Sequence, residues 1–152
     1  EVLADVWDMR RKLQANAKAG DLKRGEGGIM DIEFIVQALG LCHGKEHPEI
    51  LVPGTPGALR ELMNAGLLDP TRGSDLLTAY QFLRWVENRI SLVNEGGQSI
   101  ATLAPSELES QAQKIGYKSS GEESALSIFQ GELDYHRKRT RALLKQVLQV
   151  EG

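Results

Sequence analysis

The chain has 152 residues, 41% of them hydrophobic and 26% charged, enough for one domain with a sizeable core and too few for two. Its 18 Lys and Arg against 21 Asp and Glu leave a formal charge of -3, which excludes a surface built throughout for phosphate backbone; a local basic patch stays open. The single cysteine, Cys42, rules out an internal disulfide, and no apolar run nears the roughly 20 residues of a membrane helix, so a soluble, cytoplasmic protein is expected.

Glu1 to Arg10 has no initiator Met and no capping residue, yet Val2, Val6, Met9 and Leu13 recur at helical spacing. A helix is therefore expected from residue 1 to about Ala19, stopped by Gly20, in a fragment of a longer chain. Asp21 to Gly28 reads as a short glycine-rich loop. From Ile29 the pattern is mixed, because Asp31-Ile32-Glu33-Phe34 alternates like a strand while Ile29, Ile32, Val36 and Leu39 share a helical face. The apolar pattern outlasts a half-buried strand, so it predicts a helix from about Ile29 to His43.

His47-Pro48 and Pro53-Gly54-Thr55-Pro56-Gly57 bracket turns, after which Thr55 is expected to cap a helix through Leu59, Leu62 and Met63 to Gly66. Asp69-Pro70 reads as another turn. From Ser74 a long helix is expected, its seam of Leu76, Ala79, Leu83, Val86, Ile90 and Val93 stepping by three and four until Gly96-Gly97. A short helix over Ser106 to Ile115 follows, and a last one from about Glu122 to Val150 with Leu126, Phe129, Leu133, His136, Leu143 and Val147 on one face. The predicted class is all-α, a single bundle of five or six helices with one glycine-rich loop and no strand.

Candidate chemistry centres on Lys23-Arg24-Gly25-Glu26-Gly27-Gly28. Glycines let backbone amides approach a ligand, a helix start leaves amides unpaired, and Lys23 adds charge, so the segment has the parts of a phosphate site. It is not a Walker loop, and a plain turn between helices is the alternative. Asp31 and Glu33 form an acid-x-acid pair of the kind that binds metal in nucleotidyl transfer. On a helix they lie about 200° apart, so at most one faces the loop; support of the helix start, worth about 0.3–1 kcal/mol each, is the alternative.

Arg84, Glu87 and Arg89 flank the seam of the long helix, either as a solvated pair or as an inter-domain one. Arg137, Lys138, Arg139, Arg141 and Lys145 make the last helix basic, a feature expected to offset the helix dipole rather than to meet nucleic acid or an acidic surface. Cys42, His43 and His47 lack a fourth ligand for a metal site. No Gly-x-Ser-x-Gly nucleophile is present, and Cys42 is expected to be a small core residue.

The run Asp21-Leu22-Lys23-Arg24-Gly25-Glu26-Gly27-Gly28-Ile29-Met30-Asp31-Ile32-Glu33-Phe34-Ile35-Val36-Gln37 resembles the lysine, double-glycine, acid-Ile-Glu-Phe signature of glutamine synthetase adenylyltransferases. Ala79-Tyr80-Gln81-Phe82-Leu83-Arg84-Trp85-Val86-Glu87-Asn88-Arg89-Ile90 is similar to that family's Tyr-x-Phe-Leu-Arg-x-x-Glu-x-Arg helix, and His136-Arg137-Lys138-Arg139-Thr140-Arg141 to its basic last helix. A shorter form of the first motif occurs in the related uridylyltransferases of nitrogen signalling.

The resemblance implies a helical domain that follows a nucleotidyltransferase domain in a bifunctional enzyme attaching AMP to glutamine synthetase and removing it. The Asp-Leu-Lys start resembles the C-terminal, adenylylating half. ATP and magnesium are implied for the intact enzyme, with glutamine synthetase, a PII-type regulatory protein and the adjacent catalytic domain as partners. Lys23, Gly25, Gly27, Gly28, Asp31 and Glu33 are the implied nucleotide-facing residues. The family's Gly-Ser and Asp-x-Asp catalytic centre has no counterpart, since Gly73-Ser74-Asp75 lacks the second part, so the chain alone is expected to be inactive. Gln98-Ser99-Ile100 stands where many relatives have Gln-Thr-His.

Overall fold

A computed structural model describes residues 1–18, 20–93 and 104–150. Among these described residues there are six α-helices, α1 (Val2–Ala15), α2 (Ile29–His43), α3 (Thr55–Asn64), α4 (Pro70–Val93), α5 (Pro105–Lys114) and α6 (Ala125–Leu148), and one 3-10 turn at Pro48–Ile50. Among the described residues no strand forms beyond an isolated bridge between Ser120 and Glu123. The expected break at Gly96-Gly97 and the Gln98-Ser99-Ile100 departure lie outside the described residues.

Helix α2 is the centre of the bundle, in contact with α1, α3, α4 and α6. Ile29, Ile32, Ile35 and Ala38 are completely buried on it and meet Leu59 and Leu62 of α3, Leu76 and Leu83 of α4, and Leu144 and Leu148 of α6. A second cluster of Val86, Ala112, Ile115, Ala125 and Phe129 joins α4, α5 and the start of α6. Of the seam predicted for α4, Leu76, Ala79 and Leu83 pack in the first cluster and Val86 with Ile90 in the second.

Several boundaries differ from the pattern-based ones, through hydrogen bonds at the helix ends or through a backbone turn. α1 ends at Ala15, where the Ala17 amide turns back to the Gln14 carbonyl, 2.8 Å; Gly20, φ 77°, shapes the following turn instead. α4 begins at Pro70 rather than Ser74, because the Asp69 carboxylate accepts from the amides of Thr71 (3.0 Å) and Arg72 (3.1 Å). Thr55 does not cap α3: it is already helical, and Gly54 at φ 84° makes the entry. α6 begins at Ala125, capped by Ser124, and the Glu109 carboxylate reaches across from α5 to the amides of Leu126 (2.9 Å) and Ala125 (3.2 Å). That donation, mainly from Leu126, holds the Glu109 carboxyl below its usual range.

Two inward-facing assignments are corrected. On α1, Val2 and Met9 are exposed, while Leu3, Val6, Trp7 and Leu13 pack inward around a fully buried Arg10. Cys42 is exposed, because the core face of α2 is occupied by Ile35 and Ala38, leaving Leu41 and Cys42 outside.

Candidate functional site

The glycine loop is built by its own backbone. The Asp21 carboxylate accepts from the amides of Lys23 (2.9 Å) and Arg24 (2.8 Å), and the Gly25 amide closes onto the Asp21 carbonyl at 3.1 Å. The first amides of α2 are then consumed in sequence: Ile29 donates to Leu22, Met30 to Lys23 and Asp31 to Gly28, at 3.0–3.1 Å. Gly28 donates to Gly25, and Gly27 donates to the Asp31 carboxylate at 2.7 Å.

This closes the helix start that the sequence left open as a phosphate cradle. An anion at a helix N-terminus needs unpaired amides, and here those of Gly25, Gly27 and Gly28 are all bonded within the chain. The glycines are required for close approach to protein instead. A Cβ on Gly27, which sits at φ 67°, would collide with the backbone carbonyl of Arg137, and one on Gly25 would collide with the Arg137 guanidinium. The Arg137 Nε in turn donates to the Glu26 carbonyl at 2.7 Å, so α6 lies directly against the loop.

Beneath the loop lies a buried charge cluster. Asp31 is fully buried and accepts from Arg10 Nε at 2.5 Å and from Arg141 Nη1 at 3.2 Å, in addition to Gly27. Arg10 also donates to the carbonyls of Arg24 (2.8 Å) and Gly25 (3.0 Å), and Arg141 reaches the Glu26 carboxylate at 3.4 Å while stacking on Trp7 at 4.8 Å. Three separated elements, α1, the loop with α2, and α6, thus converge on one carboxylate. Asp31 is accordingly not a free ligand lining a cleft. Glu33, on the other side of α2, is half-buried, and Lys23 and Arg24 are exposed.

Magnesium does not fit these residues. The only buried acid at the loop is saturated by two guanidiniums, Glu33 points away from it, and among the described residues no group of three or more His, Cys, Asp or Glu is arranged to hold a metal ion.

The basic residues of α6 are distributed differently from a dipole-offsetting helix end. Arg137, Arg139 and Arg141 stand in the middle of α6 and bind the loop, Asp75 of α4 and Asp31 respectively; only Lys145 is in the last turn. Arg84 and Glu87 form an exposed i,i+3 pair at 3.6 Å, and Arg89 lies over Trp85 at 5.7 Å. His136 is buried against the Phe82 ring, 4.8 Å between centroids, and loss of solvation pushes its pKa below the ordinary 6.5.

Arg10 and Arg141 were the residues that sequence patterning missed. A signal existed for the first: Arg10 falls in register with Leu3, Val6 and Leu13, the inward stripe of α1, where an unpaired charge is not tolerated. Arg141 gave no such signal, being one of five cations in a basic run.

Residues 7–148 match the family described as GlnD PII-uridylyltransferase. Similar curated proteins include the bifunctional glutamine synthetase adenylyltransferase/adenylyl-removing enzymes of Xanthomonas oryzae pv. oryzae, 40% identical over 64% of this chain, and of Xanthomonas campestris pv. campestris (strain B100), 36% identical over 76%. The corresponding enzyme of Neisseria meningitidis serogroup A is 28% identical over 86% of the chain. The chain spans only 10% to 14% of the length of these relatives.

Proposed function

Since the chain belongs to the GlnD PII-uridylyltransferase family and is related to glutamine synthetase adenylyltransferases, we propose that it is one helical domain of a larger multidomain nucleotidyltransferase that transfers AMP to glutamine synthetase. In this reading the domain catalyses nothing alone. It abuts a neighbouring nucleotidyltransferase domain, which carries ATP, magnesium and the reacting groups, and the intact enzyme works in the cytoplasm with glutamine synthetase and a PII-type regulatory protein as partners.

The observation that carries the reading is the loop's rigidity. Nearly every backbone group from Asp21 to Asp31 is bonded, and a buried Arg10–Asp31–Arg141 cluster pins the loop from below. Such over-determination is costly for a mere chain reversal, since buried charges must be desolvated, and suits a rim held at fixed geometry for a neighbour. Gly25, Gly27, Gly28 and Asp31 act as its frame. Lys23, exposed and outside the frame, is the side chain that reaches the nucleotide phosphate of the adjoining site, while Glu33, on the far side of α2, lies away from it.

The test is Lys23→Ala in the intact enzyme. AMP transfer should fall by about tenfold or more, the loss expected when a charge contact made in the transition state is removed, with the thermal midpoint unchanged. Full turnover in that variant would leave the loop as a turn in a scaffold bundle.

A further inference from the structure

We propose that the groove formed by α1 and α6 on either side of the Arg141–Glu26 bridge is a docking surface for an acidic polypeptide segment, a role independent of AMP transfer. Two open hollows meet at that bridge. One, about 470 Å³, is lined by Asp134, Arg137, Lys138, Arg141, Lys145 and Glu26. The other, about 730 Å³, is lined by Trp7, Arg11, Lys12, Gln14 and Arg141 among others. The chain as a whole is acidic at -3, yet this face gathers six cations against the three acids Asp8, Glu26 and Asp134. Among the described residues Arg11, Lys12, Lys138 and Lys145 make no ion pair, whereas Arg137 is committed to the Glu26 carbonyl and Arg141 to Asp31 with Glu26.

The arrangement selects the occupant. Lys138 and Lys145, seven residues apart along α6, stand roughly 10 Å from each other at 1.5 Å per residue, with the already paired Arg141 between them. A compact phosphate needs donors that converge on one point, whereas these are spread along an open face. A nucleic acid strand would meet Glu26 and Asp134 among the cations, and the Trp7 ring that could stack a base is covered by Arg141. A helical polypeptide with carboxylates seven residues apart matches Lys138 and Lys145, and a cation of its own has Asp134 to pair with.

The test uses this chain and a helical peptide of about four turns bearing Glu at i and i+7, beside a scrambled peptide of equal composition. By fluorescence anisotropy the ordered peptide should bind about tenfold more tightly than the scrambled one and weaken as salt rises from about 50 to about 200 mM. Lys138→Glu with Lys145→Glu should abolish that preference, and a peptide with Lys in place of Glu should regain binding to the variant. If the double variant loses helical circular dichroism, the milder Lys138→Gln with Lys145→Gln decides by the same loss. Equal affinity for the two peptides, no binding at low salt, unchanged binding in the variants, or tighter binding of inorganic triphosphate or an oligonucleotide of equal charge would each overturn the proposal.

Discussion

Asp31→Asn removes one negative charge and almost no volume, so its effect isolates the buried cluster. In the folded protein the carboxylate accepts from Arg10, Arg141 and the Gly27 amide. The Arg10 side chain is completely buried and that of Arg141 only 12% exposed. After the substitution Arg141 retains Glu26 at 3.4 Å, but Arg10 keeps only the carbonyls of Arg24 and Gly25 and has no anion within reach. Breaking a buried pair by removing one partner costs about 3–5 kcal/mol, a large part of the about 5–15 kcal/mol that holds a domain of this size together. At about 2–4 °C per kcal/mol the thermal midpoint should fall by about 6–20 °C. Urea unfolding followed by circular dichroism at neutral pH measures the free energy directly. Combining Asp31→Asn with Arg10→Met should cost less than the sum of the single changes, because the second removes the orphaned charge created by the first. A loss below about 1 kcal/mol in the single variant, or strict additivity in the double, would refute the view that this cluster fixes the loop.

Gly27→Ala is expected to destabilise by about 2 kcal/mol or more, since it combines a left-handed backbone with a collision against the Arg137 main chain; Gly73→Ala, whose new methyl meets the flexible end of Met63, should cost clearly less in the same urea assay. His136 carries a pKa lowered by burial, so the unfolded chain binds its proton first: stability should be complete above the ordinary 6.5 and decline as pH falls below it toward the folded pKa. Glu132 and Asp75, which raise that pKa, and Arg139, which lowers it, set the size of the decline, and His136→Phe should flatten the slope between about pH 7 and 5 in urea titrations. Arg84→Ala breaks only an exposed pair and should change stability by no more than about 0.5 kcal/mol.

Apolar periodicity was enough to establish an all-α chain, the position of α2 and most of the seam of α4, because each is a property of one segment whose residues repeat at the period of the structure they form, and the clustered glycines marked the loop. The family was legible for a similar reason, in the contiguous runs from Asp21 to Gln37 and from Ala79 to Ile90. Only the tertiary structure decided what the loop's parts do. Asp31 and its partners Arg10 and Arg141 are separated by 21 and 110 residues, and no local pattern records that α1 and α6 deliver guanidiniums to one carboxylate. The same packing brings the Arg137 carbonyl onto Gly27 and spends the amides of Gly25, Gly27 and Gly28 on hydrogen bonds inside the chain. Hydrogen-bonding capacity is written in residue types, but whether it is spent internally or left for a ligand depends on which distant elements fold against it.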